Sequence, residues 1–409
     1  MSSLARGGRF GNLNLKRTPS RWVADAPRVR PGHHRPSGSF PRAAASSALL
    51  GCRDGRCQPL ESRQQLAQQQ CRWFATGTSD DPFSLVEDDL ASLNDDICGL
   101  LSTGGEHPVL EAVSSYFFQR GGKNFRPAIV LLMSRATAAH AQQGLEEACP
   151  RQQRLAQIAE MIHTASLLHD DVVDESDSRR GQLSVNAQYG NKVAVLAGDF
   201  LLARSSMALA RLRDCDVVEV LSLVIEELVE GELLQIKVGA GHSANASELM
   251  KLYLKKNYLK TGSLIANSCR AAAMLGQHDE EVCTVAYDYG RHLGMAFQLV
   301  DDCLDWRSSA ADLGKPAMAD VKLGLATAPV LLSLDQYPQL SEIVGRRCSE
   351  PGDVEQAVEW VTAAGGVERT EDIAAAYAER AIGAIERLQP SAPQRALVSL
   401  AEKVLTRSK

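Results

Sequence analysis

Apolar side chains recur at helical spacing along most of this chain, and strand-like alternation of β-branched residues is rare. Proline is sparse between residues 128 and 315, which favours long uninterrupted helices. The pattern predicts helices at 152–174, 192–213, 216–237, 247–275 and 280–306, and a last pair at 371–388 and 393–407. The stretch 349–370 is charged and is expected to contain loops. The predicted fold class is therefore all-α.

A short amphipathic helix is also predicted near residue 90, where acidic and apolar positions are mixed. Its acids are Glu87, Asp88, Asp89, Asp95 and Asp96. Charge runs of this kind usually cover a solvated helix face. We interpret these acids as surface charge rather than as a metal site.

Charge is distributed unevenly along the 409 residues. Residues 1–78 hold thirteen Lys and Arg against three Asp and Glu, close to +10. The remainder holds 31 basic and 47 acidic residues, a charge of -16. A negatively charged body gives no reason to expect nucleic acid as a partner. With 44% hydrophobic residues, that body can form a sizeable core.

The first 78 residues are rich in Arg, Ser, Gly and Pro, and they contain no apolar run long enough for a signal peptide or a membrane span. This composition is typical of an organelle transit peptide. We expect residues 1–78 to be a mitochondrial leader, with a plastid leader or a basic tail without an address as the alternatives. Residues 79–409 are expected to form the functional domain, with no transmembrane segment.

The most informative motif occurs twice, 131 residues apart. In each copy three aspartates occupy positions i, i+1 and i+4, at Asp170, Asp171 and Asp174 and again at Asp301, Asp302 and Asp305. Both copies end very apolar segments, where three helical carboxylates should converge and repel each other unless a cation lies between them. None of the ten cysteines forms a Cys-x-x-Cys pair, so the donors are oxygens, which favour Mg²⁺.

A line of polar side chains leads into the first motif. His163, Ser166, Asp170 and Asp174 are spaced by three, four and four residues, so they share one face of an otherwise apolar helix. A polar line inside a buried helix suggests the wall of a ligand cavity. A lone histidine would more often be a core residue, but its alignment with the aspartates favours ligand contact.

Cations flank the two motifs, each near a glycine, a proline or a helix start. They are Lys123, Arg126, Arg179, Arg180, Lys260 beside Thr261, and Lys315. Guanidinium and ammonium groups in such places are well suited to diphosphates. Together with two carboxylate triads, they predict a site that binds two diphosphates, one through metal and one through Arg and Lys.

Five segments match, in order, the motifs of the all-trans polyprenyl diphosphate synthases. They are Gly121 to Pro127, Glu160 to Asp171, Lys260 to Ile265, Phe297 to Asp302, and Gly314 to Pro316 with Asp320 and Lys322. Over residues 82–409 the chain is identified as a member of this family. It resembles the mitochondrial long-chain synthases that make the side chain of ubiquinone.

The resemblance implies an isoprenoid-synthase-like helical bundle around a large central cavity, in which isopentenyl diphosphate is added repeatedly to an allylic diphosphate. By motif, Mg²⁺ is held by Asp170, Asp171, Asp174, Asp301, Asp302 and Asp305. The allylic diphosphate is held by Arg179, Lys260, Thr261, Gln298, Lys315 and Lys322, and isopentenyl diphosphate by Lys123, Arg126, His163 and Arg180. The first two acids of each motif, with Asp174, Arg179 and Lys260, are expected to be catalytic.

Product length is expected to depend on the helix that carries the first motif. In this family an aromatic residue five positions before the first aspartate acts as a floor, which means that it blocks further growth of the product chain. In this sequence that position is occupied by Ala165, next to Ser166. One turn further the helix presents Met161 and Ile162. Small residues at the floor predict a product longer than C20, whereas the alternative is that another helix stops growth.

Three alternatives remain open: a geranylgeranyl diphosphate synthase, a class I terpene cyclase, and a non-catalytic partner subunit. The second copy of the motif and the residues Lys123, Arg126 and Arg180 argue against the cyclase. All six aspartates are present, which argues against a silent subunit. The resemblance further implies a homodimer or a heteromer with a related subunit, and peripheral membrane contact for product release.

Overall fold

The structure is a computed structural model that describes residues 81–102, 107–118, 124–142, 148–179, 182–239, 246–311 and 325–407, without the side chains of 236–239 and 308–311. The predicted leader, residues 1–78, and its boundary with the domain lie outside these ranges and remain predictions. Four predicted site residues also lie outside them: Lys123, Arg180, Lys315 and Lys322.

The all-α prediction is confirmed, since the described residues form helices and one two-stranded hairpin. The helices in the first half are α1 (Glu87–Leu101), α2 (Pro108–Ser115), α3 (Phe125–His140), α4 (Pro150–Val173), α5 (Val185–Tyr189), α6 (Asn191–Arg211) and α7 (Cys215–Gly239). Those in the second half are α8 (Ala246–Asn257), α9 (Ser263–Leu275), α10 (Glu280–Ala311), α11 (Ala328–Ser333), α12 (Leu340–Gly345), α13 (Asp353–Ala363), α14 (Gly366–Ile385) and α15 (Ala392–Thr406). The antiparallel strands β1 (Ser178–Arg179) and β2 (Gln182–Leu183) follow α4.

Helix α4 runs through the core and delivers the first aspartate motif. It begins at Pro150, whose missing N–H is not needed in the first turn, and the Cys149 N–H donates to Gln152 Oε1 over 3.0 Å. Leu155, Ile158 and Ile162 are buried along its length. The helix packs against α6 and α3, so its far end is held firmly in the bundle.

Close packing of α9 against α10 depends on two glycines of α10. A Cβ atom on Gly290 would lie 2.7 Å from the carbonyl oxygen of Ile265, and one on Gly294 would lie 2.8 Å from Gly262 Cα. Real Cβ contacts are essentially never that short. The two backbones therefore touch directly here, which brings the start of α9 next to the second aspartate motif.

Helix α6 is long and apolar enough to cross a membrane by length and composition, and it is the one such helix among the described residues. It lies along α4, where Ala194, Ala197 and Leu201 are fully buried. Its opposite side leaves Leu196 and Met207 exposed. The high hydropathy of α6 thus comes from a core face and a second, uncovered apolar face.

Two acidic residues of α1 contact neighbouring helices, so our interpretation of these acids as a solvated face is partly wrong. Asp89 pairs with Arg135 of α3 at 2.7 Å and accepts a 2.9 Å hydrogen bond from Gln153 of α4. Asp96 accepts a 3.2 Å hydrogen bond from Gln157. These acids join α1 to the bundle, because polar partners on α3 and α4 lie opposite them.

The charged stretch 349–370 holds more helix than we expected. Residues Asp353–Ala363 form α13, and α14 already begins at Gly366. Two glycines with positive φ, Gly352 and Gly365, precede these helices and supply the turns. Val361 of α13 packs with Trp306 in a small second core. Apolar residues at helical spacing within this charged stretch therefore indicated a helix.

Candidate active site

The first aspartate motif lies where α4 ends. The backbone N–H of Asp174 donates to the carbonyl of Asp170 at 2.8 Å, and Glu175, with φ of 51°, turns the chain out of the helix. The chain then enters the short hairpin that carries Arg179. The hairpin folds back on the helix end, so a cation from β1 reaches the carboxylates of α4.

Asp171 is the most buried acid of the first motif, with 1% of its surface exposed. Arg179 Nε lies 2.8 and 2.9 Å from its two carboxylate oxygens, and Arg179 Nη2 lies 2.7 Å from Oδ1. A guanidinium that grips a carboxylate in this way is a strong, geometrically fixed pair. Arg179, predicted to bind diphosphate, is therefore already placed at the motif by its ion pair with Asp171.

Asp170 lies in a crowded acidic environment next to Lys260. Burial raises the pKa of Asp170 to about 7, Lys260 opposes that shift, and the nearby carboxylates of Glu232 and Asp174 add to it. Glu232 also forms an ion pair with Lys260, and Lys260 Nζ donates to Gln235 Oε1 at 3.3 Å. A further cation at this end of α4 would relieve the repulsion and favour the ionised form.

A π-helical turn, Tyr258–Gly262, places Lys260 and Thr261 between α8 and α9. Such turns occur frequently at functional sites, because the extra residue redirects side chains. Helix α7 approaches closely here: a Cβ on Gly231 would lie 2.7 Å from Lys260 Cγ. The glycine leaves room for the lysine side chain to lie along α7 towards Asp170.

Asp302 of the second motif is held from two sides. Tyr253 of α8 donates its hydroxyl to Asp302 Oδ2 at 2.5 Å, and Gln298 of α10 donates to Oδ1 at 2.9 Å. Gln298 in turn accepts a 2.9 Å hydrogen bond from Thr261. Burial and the adjacent carboxylate raise the pKa of Tyr253 well above its usual value, so its hydroxyl is protonated and donates.

Asp301, the first acid of the second motif, pairs with the end of the chain. Arg407 Nη2 lies 2.7 Å from Asp301 Oδ1 and also donates to the carbonyl of Phe297 at 2.6 Å. The guanidinium stacks over the Phe297 ring at 3.7 Å, and that ring packs against Phe125 at 4.8 Å. This contact joins the residue after α15 to the start of α3, beside Arg126.

The two motifs flank the same turn. Lys260 acts on Asp170 of the first motif, while its neighbour Thr261 is linked through Gln298 to Asp302 of the second. The described residues contain no group of three or more His, Cys, Asp or Glu side chains that could hold a metal ion. In this arrangement Asp171 and Asp301 are turned towards arginines, and the role of the two triads as metal ligands stays a prediction.

The carboxylates nevertheless fit a hard cation. Their donors are oxygens alone, Asp170 is penalised by neighbouring negative charge, and arginines already neutralise Asp171 and Asp301. Oxygen donors in an electronegative pocket are what Mg²⁺ requires, with phosphate oxygens completing its shell. The Mg²⁺ ligands stay a prediction, since the residues carry the chemistry without defining the ion's position.

The other predicted residues of the first half surround α4. His163 is half-buried, and its carbonyl accepts a 2.8 Å hydrogen bond from Ser166 Oγ. Arg126 lies in the first turn of α3, whose start follows Asn124 at φ 44°. Ala165 and Ile162 are buried in the core. Asp305 lies one turn beyond Asp301 on α10.

A small cavity of about 20 Å³ lies beside α4. It is lined by Thr164 and Leu167 of α4 and by Phe117 and Phe118 after α2. That volume holds about one water molecule.

Three side chains that contact predicted site residues were missed by the sequence analysis: Tyr253, Glu232 and Arg407. Glu232 and Gln235 stand three apart inside an apolar helix, a signal similar to the one that identified His163. Tyr253 precedes Lys260 by seven residues, which indicates a shared helix face but not a contact with α10. Arg407 meets Asp301 only through tertiary folding, and nothing local indicates it.

An all-helical bundle with two acidic motifs around a turn bearing Lys and Thr defines an enzyme that handles diphosphates. Comparison with known proteins gives the family. Residues 107–361 match the polyprenyl synthetase family. The chain belongs to this family, and it is a prenyltransferase.

Similar proteins share most of this chain. The human all trans-polyprenyl-diphosphate synthase PDSS1 is 47% identical over 331 residues, which cover 80% of this chain and 78% of that protein. Solanesyl-diphosphate synthase 1, mitochondrial, from Oryza sativa subsp. japonica is 41% identical over 391 residues, covering 90% and 89%. The crystal structure of a decaprenyl diphosphate synthase from Rhodobacter capsulatus superposes with a TM-score of 0.73 at 30% identity, covering 80% and 98%.

Proposed function

We propose that the turn at Lys260–Thr261 is the centre at which an allylic diphosphate is ionised and extended. The chain is a mitochondrial long-chain all-trans polyprenyl diphosphate synthase, and its product supplies the side chain of ubiquinone. The observation that carries the proposed site is the link from Asp170 through Lys260 and Thr261 to Asp302. One turn can thereby contact a diphosphate and both acidic motifs.

In this proposal each substrate has its own set of residues. The aspartates Asp170, Asp171, Asp174, Asp301, Asp302 and Asp305 hold Mg²⁺, whose positive charge stabilises the departing diphosphate when it is bound. Arg179, Lys260, Thr261, Gln298, Lys315 and Lys322 hold the allylic diphosphate. Lys123, Arg126, His163 and Arg180 hold isopentenyl diphosphate. Members of this family are generally Mg²⁺-dependent.

The protein's own cations perform the electrostatic part of the reaction. The C–O bond to the allylic diphosphate breaks, and Lys260 and Arg179 stabilise the negative charge that develops on the leaving group. The isopentenyl double bond attacks the allylic cation and forms the new C–C bond. A proton then leaves the adduct, and the released diphosphate accepts it. Water must be excluded throughout, because it would capture the cation.

The resting ion pairs prepare these cations for substrate. Lys260 pairs with Glu232, and Arg179 pairs with Asp171. Both pairs fix the direction of flexible side chains, so less conformational entropy is lost when a diphosphate binds. An incoming diphosphate then shares or replaces the carboxylate as the partner of each cation.

Chain length in this proposal is set along α4. The tail passes Ala165 and Ser166 and reaches Ile162 one turn further down, about 5.4 Å away. The small side chain of Ala165 permits growth beyond C20. Release of so apolar a product involves transient contact with a membrane surface.

Product analysis of the purified full-length chain tests the function. We expect farnesyl diphosphate, isopentenyl diphosphate and Mg²⁺ to give a polyprenyl diphosphate longer than C20. Lys260→Ala should lower kcat by about 10²- to 10³-fold, as does loss of one preorganised donor in other enzymes. Products that stop at C20 would support a geranylgeranyl diphosphate synthase. Inactivity that is reversed only by a related chain would identify a partner subunit.

We also propose that a second chain, either another copy or a related subunit, covers the apolar face of α6 and α7. Leu196 and Met207 of α6 are exposed eleven residues apart, three helical turns on one side. Leu223, Val229 and Leu233 of α7 are exposed as well. Exposed apolar residues on two helices that contact each other are typical of an interface. Light scattering of the wild type should give a dimer, either alone or after a related subunit is added, and Leu196→Glu combined with Val229→Glu should stay a helical monomer in both cases. A wild type that is monomeric under both conditions would refute this.

A further inference from the structure

Tyr253 makes a short side-chain hydrogen bond to the second aspartate motif. Its hydroxyl donates to Asp302 Oδ2 at 2.5 Å. Both side chains are almost entirely buried, with 4% of Tyr253 and 3% of Asp302 exposed. A buried carboxylate depends strongly on its hydrogen-bond donors, because water cannot replace them. The orientation of Asp302 is therefore set by protein groups.

The two donors to Asp302 come from opposite sides. Tyr253 belongs to α8, which leads into the turn bearing Lys260, while Gln298 belongs to α10 and donates to Oδ1 at 2.9 Å. Gln298 also accepts from Thr261. Tyr253 and Thr261 lie on either side of Lys260 along the chain, so the segment that presents this lysine is tied to Asp302 at both ends.

An ionised carboxylate has about four lone-pair positions. Each oxygen of Asp302 uses one position for Tyr253 or Gln298, and these bonds fix the rotation of the carboxylate about its bond to Cβ. The direction of all its lone pairs is then defined. Groups that orient metal ligands in this way typically change metal affinity by about 10- to 100-fold when they are removed.

We propose that Tyr253 is a positioning residue for the proposed reaction: it holds the Asp302 carboxylate in the orientation that binds Mg²⁺ and the allylic diphosphate. This inference rests on the proposed function, in which Asp302 is a Mg²⁺ ligand. Tyr253 itself touches neither substrate nor ion. Its effect is transmitted through one hydrogen bond, and it couples α8 to the second motif.

A purely structural tyrosine is the competing explanation, and the chain offers a matched control. Tyr289 of α10 is fully buried, and its hydroxyl donates to the carbonyl of Leu397 at 2.8 Å. Tyr253→Phe and Tyr289→Phe therefore both remove a buried hydroxyl group that donates a hydrogen bond to an oxygen. Only the first removes a donor from an acidic motif.

The test measures Mg²⁺-dependent binding of farnesyl diphosphate by calorimetry, without isopentenyl diphosphate, so that no turnover occurs. We expect Tyr253→Phe to raise the half-saturating Mg²⁺ concentration about tenfold or more. Tyr289→Phe should match the wild type, although both variants melt at lower temperature. Excess Mg²⁺ should restore most of the kcat of Tyr253→Phe. A half-saturating concentration within twofold of the wild type for Tyr253→Phe would overturn the inference.

Two further outcomes are informative. If the wild type shows no Mg²⁺-dependent binding, the proposed function fails, which is distinct from a failure at Tyr253 alone. If Tyr253→Phe does not fold, hydrogen exchange on the wild type decides. Mg²⁺ with farnesyl diphosphate should then slow exchange of amides around Tyr253 in α8 and leave those around Tyr289 unchanged. Equal behaviour of the two segments would overturn the inference.

Discussion

The direct contact of α9 with α10 gives a sharp prediction for Gly294→Ala. A Cβ at this position would lie 2.8 Å from Gly262 Cα, whereas ordinary contacts begin at 3.4 Å. The obstacle is backbone rather than a flexible side chain, so the helices must separate by about 0.6 Å. Gly262 directly follows Thr261, and Gly294 lies one turn before Gln298. The separation therefore acts on the Thr261–Gln298–Asp302 hydrogen bonds.

Two effects of opposite sign decide the stability of Gly294→Ala. Overpacking a filled interface costs about 1–3 kcal/mol. Alanine gains up to about 1 kcal/mol over glycine in a helix interior. With the full helix gain, the net loss should be about 0–2 kcal/mol. A displacement of about 1 Å at catalytic groups can cost 10²-fold in rate, so we expect kcat to fall by about 10- to 100-fold.

Gly383→Ala is the matched control. Gly383 lies in α14, and a Cβ atom added to it would have no neighbouring heavy atom within 4 Å, so the new methyl group meets open space. The substitution should raise stability by up to about 1 kcal/mol and leave kcat unchanged. Urea unfolding and steady-state kinetics are measured on both variants. If Gly294→Ala is as stable and as active as Gly383→Ala, the close approach does not position the site.

Three further outcomes are expected. Ala165→Phe should shorten the product, seen by chromatography of the dephosphorylated prenols; unchanged length would place the floor on another helix. Chelation of Mg²⁺ should abolish turnover and re-addition should restore it, and activity without divalent ions would refute the metal role. The hydrogen bond from Arg346 holds the pKa of Asp353 below its ordinary value. The stability from this pair should be present above about pH 4 and be lost as pH falls through the folded pKa. Asp353→Asn should therefore melt lower than the wild type at pH 7, and the difference should shrink as the pH falls below about 4.

Helix positions were predictable where the apolar period was strong. Segment 152–174 corresponds to α4, Pro150–Val173, and 280–306 corresponds to the larger part of α10, Glu280–Ala311. The break inside 247–275 was not predicted, because Tyr258–Gly262 keeps the apolar period of a helix while it inserts one extra residue. Helix α13 was missed because charged residues surround its narrow apolar stripe.

The members of the site were predictable where chemistry repeats along the chain, as with the two aspartate motifs. Their partners were not. The contacts of Tyr253 with Asp302 and of Arg407 with Asp301 join residues 49 and 106 positions apart. The helical repeat of apolar residues carries no information about positions so far apart in the sequence. Only the packing of α8 and of the segment after α15 against α10 brings them together. Side-chain pairing across elements is thus the part that requires the folded chain.

These pairings determine how much of the negative charge of the aspartate motifs is compensated by the protein. Two acids of the motifs are satisfied by arginines, Asp171 by Arg179 and Asp301 by Arg407, while Asp302 is held by the uncharged donors Tyr253 and Gln298. Burial raises the pKa of Asp170, Lys260 opposes that shift, and the nearby carboxylates of Glu232 and Asp174 add to it. A bound cation would favour the ionised form of this carboxyl. We therefore expect a cation that is shared with a diphosphate to lie towards Asp170 and Asp302, on the two sides of Lys260 and Thr261.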